Sequence, residues 1–460
     1  MGISGMTQPE IKEHEREHAP LERSFQKLLT PFEIFLNSQS TSGIVLLCAA
    51  LLAFFLANSE FRSVYESFNQ LPLSLSLGDW RISHSLQHWV NDGLMVLFFF
   101  VLGLEIKREC LVGDLSDIRQ AGLVICMALG GMLVPASLYA LFTYSGEADL
   151  MRGWGIPMAT DTAFALGILA LLGSRAPRSA AVVLSALAIV DDIGAVLVIG
   201  LFYTEQINVP ALVNAGLVVL LLFIFNIVGI RRPLFYLAGG LVLWWFILHS
   251  GVHATAAGVL AAMAVPTRPY AGTSWFIRRM GRLVQRFEEL DKPDQSILEE
   301  HRQHDLAEQA QQIAMKTTTP LQHWGSALDK PVSLTIMPLF AFLNAGVAIP
   351  SSLTELQGSP VMLGTAAGLV IGKATGICAF AWLGVRTGLT SLPKGLTFTH
   401  IAGLSLLAGI GFTMSLFIAA LAFESQPALL VQAKLGILYG SLIAGVLGTG
   451  LLVLTHRLKA

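Results

Sequence analysis

Two adjacent carboxylates, Asp191 and Asp192, lie in the middle of an apolar run from Ser179 to Tyr203 that is long enough to cross a bilayer. A carboxylate at the centre of a membrane helix costs at least about 2.5 kcal/mol on insertion scales, so two side by side need a partner or a task. Away from helix ends, the other ionisable groups at membrane depth are Asp161 and Lys373, with His253 near a mouth. Desolvation and a like-charged neighbour both favour the protonated form of a carboxyl, so such a pair titrates as one coupled unit that can trade a proton for a cation. Neighbours on a helix are ~100° apart, which lets one carboxylate face Lys373 while the other faces a cavity. Hard cations take oxygen ligands, and Thr160 with Asp161 offers hydroxyl, carboxylate and carbonyl on a neighbouring segment. Plainer readings stand beside this one: Asp191 and Lys373 as a structural ion pair, and Thr160 bonded to its own backbone.

The elements that must position these groups follow from composition. Apolar residues make up 54% of the chain and charged residues 13%, where a soluble domain carries roughly 25% charged. The apolar residues fall into about twelve blocks near the ~20 residues that a bilayer core demands, so the expected fold is an all-α multi-pass membrane protein. A formal net charge of −2 gives no footing for nucleic acid, and Cys48, Cys110, Cys126 and Cys378 show neither metal-ligand spacing nor a disulfide framework. The first thirty residues are dense in charge rather than basic-then-apolar, unlike a cleaved signal peptide.

Residues 1–38 form a tail in which Leu21 to Leu36 has the spacing of an amphipathic helix, lying on the membrane or on the cytoplasmic end of the bundle. Residues 39–267 hold the first eight spans. Between the first two, Leu71, Leu73, Leu75 and Leu77 alternate with small residues, and Trp80 and Ile82 resume the alternation after Gly78-Asp79, which predicts an extramembrane β-hairpin. Residues 268–330 are a polar insert with Arg278, Arg279, Arg282 and Arg286 opposite an apolar face, and a second helix from Asp294, as N-cap, to Met315 is possible. Residues 331–456 hold spans nine to twelve. Lys and Arg crowd the loops on one side, which puts both termini and the insert in the cytoplasm and requires an even number of crossings. Pro157 in the fourth span and Gly403, Gly409 and Gly411 in the eleventh suggest interrupted helices whose ends meet near the midplane. There Asp161 would offset positive helix N-termini and Lys373 negative C-terminal ends. The two interrupted spans occupy matching places in helices 3–5 and 10–12, a pointer to inverted repeats.

Seven stretches carry a family likeness: Gly103-Leu104-Glu105-Ile106-Lys107-Arg108-Glu109, Ala159 to Gly167 around Thr160-Asp161-Thr162, Ala188 to Ala195 around Asp191-Asp192, Ser250-Gly251-Val252-His253-Ala254-Thr255, Pro338 to Phe342, Ile371-Gly372-Lys373, and Gly409 to Ser415. With them the chain resembles the NhaA sodium/proton antiporters of bacterial inner membranes, themselves a standard example of inverted-repeat architecture. The resemblance implies electrogenic, pH-regulated exchange of internal Na+ or Li+ for external H+, with the ions as cargo and no cofactor. It implies that Asp192 is the main ion-binding carboxylate, that Asp191 takes part through Lys373, and that Thr160 and Asp161 complete the site. It assigns Glu105, Arg108 and His253 to pH response, and it implies a homodimer through the 71–83 hairpin. Two departures stand out. The insert is longer than in compact members, and Leu321-Gln322-His323 replaces their usual Leu-Glu-His, so one acidic group of the pH-sensing cluster is missing.

Other readings have less behind them. An intramembrane aspartyl protease uses a Gly-x-Gly-Asp signature, which is absent, and a passive channel needs rings of polar groups around a symmetric pore. A proton-coupled carrier of a small organic ion on the same scaffold is the nearest alternative, although a carrier of anions would want more midplane cations than Lys373.

Overall fold

The computed structural model describes residues 39–77, 80–113, 115–116, 118–144, 148–204, 207–290, 301–349, 358–393 and 395–457. The expected helix from Leu21 to Leu36, the Gly78-Asp79 turn and the Asp294 cap lie outside the described residues.

The chain opens with α1 (Gln39–Ala57), turns through 119°, and continues as the short α2 (Arg62–Asn69). One side of α2 is buried, where Tyr65 donates to the Phe342 carbonyl at 2.6 Å and Asn69 to that of Leu343 at 3.2 Å. Strands β1 (Pro72–Leu77) and β2 (Trp80–Ser85) then pair antiparallel, with Leu75 opposite Ile82. Ser85 caps the next helix by accepting from the His88 amide. That helix, α3 (Leu86–Val112), is wound as a π-helix over Trp89–Leu94.

Helix α4 (Ile118–Thr143) leads to a 3₁₀ turn at Arg152–Met158, an extended step through Ala159 and Asp161, and α5 (Thr162–Leu172). Pro157 lies inside the turn, where its missing amide prevents a continuous α-helix. Helix α6 (Arg178–Phe202) carries the aspartate pair. Then come α7 (Val209–Val228), α8 (Pro233–Leu248) and α9 (Ala256–Ala264), followed by α10 (Thr273–Leu290) and α11 (His301–Thr317), which pack on each other through Leu283, Leu306 and Ile313. Helices α12 (Pro320–Asn344) and α13 (Pro360–Arg386) each contain a π-helical stretch, at Val332–Ile336 and Gly368–Gly372. The pair α14 (Phe398–Ala408) and α15 (Phe412–Ala422) meets at a bend of 46° before the long α16 (Pro427–Arg457).

Among the described residues, eight helices are long and apolar enough to cross a membrane, or ten if each of the two bent pairs counts as one span. The expectation of twelve is higher because it took α8 and α9 as full spans. They have 16 and 9 helical residues, the second following a non-helical turn at 249–255. Burial runs inside out relative to a water-soluble protein. Leu51, Phe55, Leu220, Leu241, Leu442 and Val446 are exposed, whereas Asp161, Asp191, Asp192 and Lys373 are buried. This is the arrangement of a multi-pass membrane protein, whose outer surface meets hydrocarbon.

Without a hydrophobic drive between helices in lipid, close packing relies on small residues. Gly130 of α4 faces Gly376 of α13, each occupying the space that a Cβ on the other would need. A Cβ on Gly258 of α9 would meet the Val96 carbonyl and the Phe100 amide of α3. We therefore expect Gly258→Ala to cost about 1–3 kcal/mol as an overpacked contact. Its apparent melting temperature in detergent should fall, while Gly216→Ala, into open space on α7, should leave it unchanged.

Candidate ion-binding site

The site forms where two broken helices cross. The backbone leaves helical geometry at Ala159–Asp161 on one chain segment and at Gly409–Gly411 on the other. Breaking a helix in an apolar interior strands amides and carbonyls, and each must find a partner. The Asp161 amide donates to the Ile410 carbonyl at 2.6 Å. The Ser415 hydroxyl donates to the Ile156 carbonyl at 2.7 Å. A Cβ at Gly411 would run into Ser415 and the Ala159 carbonyl, and one at Gly409 into the Leu369 carbonyl, so the crossing is as tight as glycine allows.

Asp161 joins the two breaks. Its Oδ1 accepts from the Phe164 amide at 3.1 Å, capping α5, while its Oδ2 accepts from the Thr413 amide at 3.0 Å and the Thr413 hydroxyl at 2.5 Å, at the first turn of α15. One carboxylate thus sits at two helix N-termini, where the dipoles favour negative charge. The expectation that Asp161 offsets positive helix ends agrees with this arrangement.

The carboxylate pair approaches the crossing from α6. Lys373 Nζ of α13 lies 2.5 Å from Asp191 Oδ2 and donates to the Thr160 hydroxyl at 2.9 Å. Thr160 Oγ1 is 2.8 Å from both Asp191 Oδ2 and the Ala408 carbonyl, so it gives its single proton to one of them while accepting from Lys373. The C-terminal end of α14 is therefore met by Thr160, with Lys373 behind it, and not by Lys373 directly. Asp192 faces elsewhere. Its Oδ2 is 3.5 Å from the Thr162 hydroxyl, and no lysine or arginine pairs with it among the described residues. Both Oδ1 atoms, of Asp191 and of Asp192, are buried without a hydrogen-bond partner. Asp191 is 1% exposed and Asp192 3%, a depth at which unmet charge is costly.

Of the residues expected to act together, the structure brings Thr160, Asp191 and Lys373 into one network, with Asp161 adjacent and Asp192 next to it. It leaves Glu105, Arg108 and His253 outside those hydrogen bonds, with Glu105 still within electrostatic reach of Asp192. Arg108 lies 3.7 Å from Glu105 and 3.0 Å from Glu109 at the C-terminal end of α3. His253 packs edge-on against Phe417 with ring centres 5.6 Å apart, just before α9. Along the α3–α9 interface Gly258 meets Val96 and Phe100, while Lys107 donates to the carbonyls of Met263 and Val265, so His253 and Glu105 belong to opposite ends. Among the described residues, neither makes a hydrogen bond or ion pair with the carboxylate pair. Gln322 is exposed near the start of α12, its amide donating to the capping hydroxyl of Thr319 at 3.2 Å. Thr413 and Thr162 were not singled out from the sequence. The signal was available for Thr413, which follows Gly411 by two residues and so falls in a new first turn once the break is located.

A buried carboxylate pair, a balancing lysine and two helices broken at the same depth define a secondary transporter of small cations. The family model described as Na+/H+ antiporter 1 matches residues 33–452, and the chain belongs to that family. It is 59% identical over 449 residues to "Na(+)/H(+) antiporter NhaA 1" of Pseudoalteromonas atlantica, covering 97% of this chain and 95% of the relative. It is 49% identical to the protein of the same name from Saccharophagus degradans, covering 93% and 92%. A solved sodium proton antiporter from Methanocaldococcus jannaschii aligns over 95% of each chain at 12% identity and a TM-score of 0.45.

Removing Lys373 alone leaves Asp191 as a buried, uncompensated charge. We expect Lys373→Met to destabilise the protein by about 3–5 kcal/mol and the double variant Asp191→Asn/Lys373→Met to recover most of that loss, read as melting temperature in detergent.

Proposed function

We propose that Na+ and H+ compete for the carboxylate pair of this Na+/H+ antiporter, with Asp192 as the main ligand and Asp191, Thr160 and Asp161 completing the site. The observation that carries the reading is the pair of orphaned, buried Oδ1 atoms on Asp191 and Asp192. An acceptor buried without a donor is satisfied by a proton or by a cation, and two adjacent ones make the two occupants mutually exclusive. Both ions are cargo, and the chain is a transporter rather than an enzyme. Li+, with the same preference for hard oxygen ligands, is a second substrate.

Alternating access follows from the crossing. The half-helices around Ala159–Asp161 and Gly409–Gly411 move together as one group, with spans 3–5 and 10–12 as inverted repeats, against the remaining helices. Exchange is electrogenic, more protons entering than sodium ions leaving. The chain crosses the bacterial inner membrane twelve times with both termini and the 268–330 insert cytoplasmic, α8 and α9 being short spans. The β1–β2 ladder is then periplasmic, and its edge offers a surface for a homodimer through residues 71–83. Glu105 and Arg108 at the cytoplasmic end of α3, and His253 at its other end, respond to pH. The ion pair of Arg108 with Glu105 supports the first assignment and the packing of the half-buried His253 against Phe417 the second. A proton-coupled carrier of a small organic ion remains the alternative, and the family places it second.

The test is collapse of a preset pH gradient in inside-out vesicles. Addition of Na+ or Li+ should collapse it with the native chain, and Asp192→Asn, folded and inserted, should show no collapse. Normal exchange by that variant would remove Asp192 from the site. Competition also sets the pH dependence: below the site's own titration the apparent KM for Na+ should rise at least about tenfold for each unit that pH falls, more steeply where more than one proton is displaced, with the maximal rate unchanged. An apparent KM independent of pH across that range would exclude competition at a shared site.

A further inference from the structure

The helical pair α10 and α11 is not used by the transport site, and α10 carries charge that no ion pair among the described residues answers. Its buried face, Phe276, Met280, Leu283 and Phe287, is spent on α11. Trp275, Arg278, Arg279, Arg282 and Arg286 recur at intervals of three and four, so they share one long side of the helix, and all five are exposed. None of the four guanidiniums forms an ion pair among the described residues; the one hydrogen bond recorded for them is Arg282 Nε to the Arg278 carbonyl at 3.3 Å. The acidic groups of α10, Glu288 and Glu289, come only in its last turn. Surface charge of this density on one side of a helix seeks an anionic partner.

The base of the helical pair is fixed at the level where the spans end. Arg231, in the loop between α7 and α8, lies over the Tyr270 ring at 5.3 Å. The Ala271 amide donates to the Lys316 carbonyl at 3.0 Å, and the Leu321 amide to that of Pro266 at 3.3 Å, closing α10 and α11 onto the ends of α9 and α12. Trp275, an amphipathic ring of the kind that settles at headgroup depth, begins the arginine side within six residues of Tyr270. An anionic leaflet next to that base supplies the complementary charge.

We propose that the arginine side of α10, Arg278, Arg279, Arg282 and Arg286 with Trp275, docks on the headgroups of anionic phospholipids in the leaflet beside the ends of α9 and α12. The docked helix lies along the membrane surface with Ile277 and Val284, on its other exposed side, turned to water. The inference does not depend on which ion is carried or on which face of the membrane the insert occupies.

A nitroxide distinguishes the docked from the free helix. Gln285 follows Arg278 by seven residues and Arg282 by three, on the arginine side, whereas Val284 follows Ile277 by seven on the other. Gln285→Cys and Val284→Cys are made in a chain whose Cys48, Cys110, Cys126 and Cys378 are serine, and are spin-labelled in vesicles of phosphatidylcholine alone or with about 30% phosphatidylglycerol. Access of a water-soluble nickel complex to the label at 285 should fall at least about fivefold when phosphatidylglycerol is present, and access at 284 should not change. Changing all four arginines to glutamine should abolish the difference while Na+-dependent exchange continues, which shows that the chain is folded. Equal access at 285 in both vesicles would overturn the proposal, as would protection that persists in the four-glutamine variant, since protection would then come from a partner other than lipid charge.

Discussion

Everything around the carboxylate pair depends on one constraint: a helix cannot be broken inside hydrocarbon unless the freed backbone groups are met by other protein groups. Here two breaks meet each other. The Asp161 amide bonds to the Ile410 carbonyl, Thr160 reaches the Ala408 carbonyl, and Ser415 reaches that of Ile156, so each segment supplies what the other lost. Gly411 permits the approach, because a side chain there would run into the Ala159 carbonyl, and Gly409 lets the same break lie against the Leu369 carbonyl of α13. Asp161 adds charge to the arrangement by accepting from the first turns of α5 and α15 at once. Each half of the crossing therefore meets backbone groups that the other leaves open.

The crossing also decides how the charges divide. Asp191 is tied to Lys373 and Thr160, an ion pair whose attraction must offset the desolvation of both partners. That pair orients α6, and with α6 oriented the next residue along, Asp192, turns to a different side. Asp192 has only a long contact with Thr162. Among the described residues, the protein thus holds one carboxylate with a built-in cation and, next to it in the chain, one without. A structural reading of Asp191 and Lys373 and a functional reading of Asp192 are complementary: the fixed pair is what leaves the other carboxylate unbalanced.

The aspartates, Lys373 and Thr160 were legible in the sequence because charge at membrane depth is conspicuous, and the breaks from Pro157 and from Gly409 and Gly411; Gly403, expected to interrupt the same span, lies inside α14, where its missing side chain makes room for Leu452 of α16. Thr413 is legible only at second hand, through its place after the Gly411 break, because a threonine in an apolar run ordinarily bonds its own backbone, as Thr375 does to the Ile371 carbonyl at 2.7 Å. Its hydroxyl and amide become ligands of Asp161 only after the helix has ended two residues earlier. The shortness of α8 and α9 was hidden for a related reason. The polar turn His249-Ser250-Gly251-Val252-His253 separates the two, and in the apolar block that follows only Ala256–Ala264 is helical, since hydropathy reports environment and not hydrogen bonding. The β1–β2 register, by contrast, follows directly from alternation, with Leu73, Leu75 and Leu77 paired to His84, Ile82 and Trp80.

The π-helical stretches had no sequence signal at all, and one of them bears directly on the site. Gly368–Gly372 is wound with an extra residue immediately before Lys373. Such a turn rotates everything after it by about 100° relative to a continuous α-helix, so the direction of Lys373 is set by the five residues that precede it. Those residues are held in place by packing: a Cβ on Gly368 would meet Pro157, and one on Gly372 would meet Pro135 of α4. Pro157 belongs to the 3₁₀ turn that ends at the break before Thr160. The proline that interrupts one helix therefore also packs against the stretch where α13 is underwound before its lysine. Pro157 thus serves twice: its missing amide breaks one helix, and its ring packs against the π-helical turn that precedes Lys373 in the other.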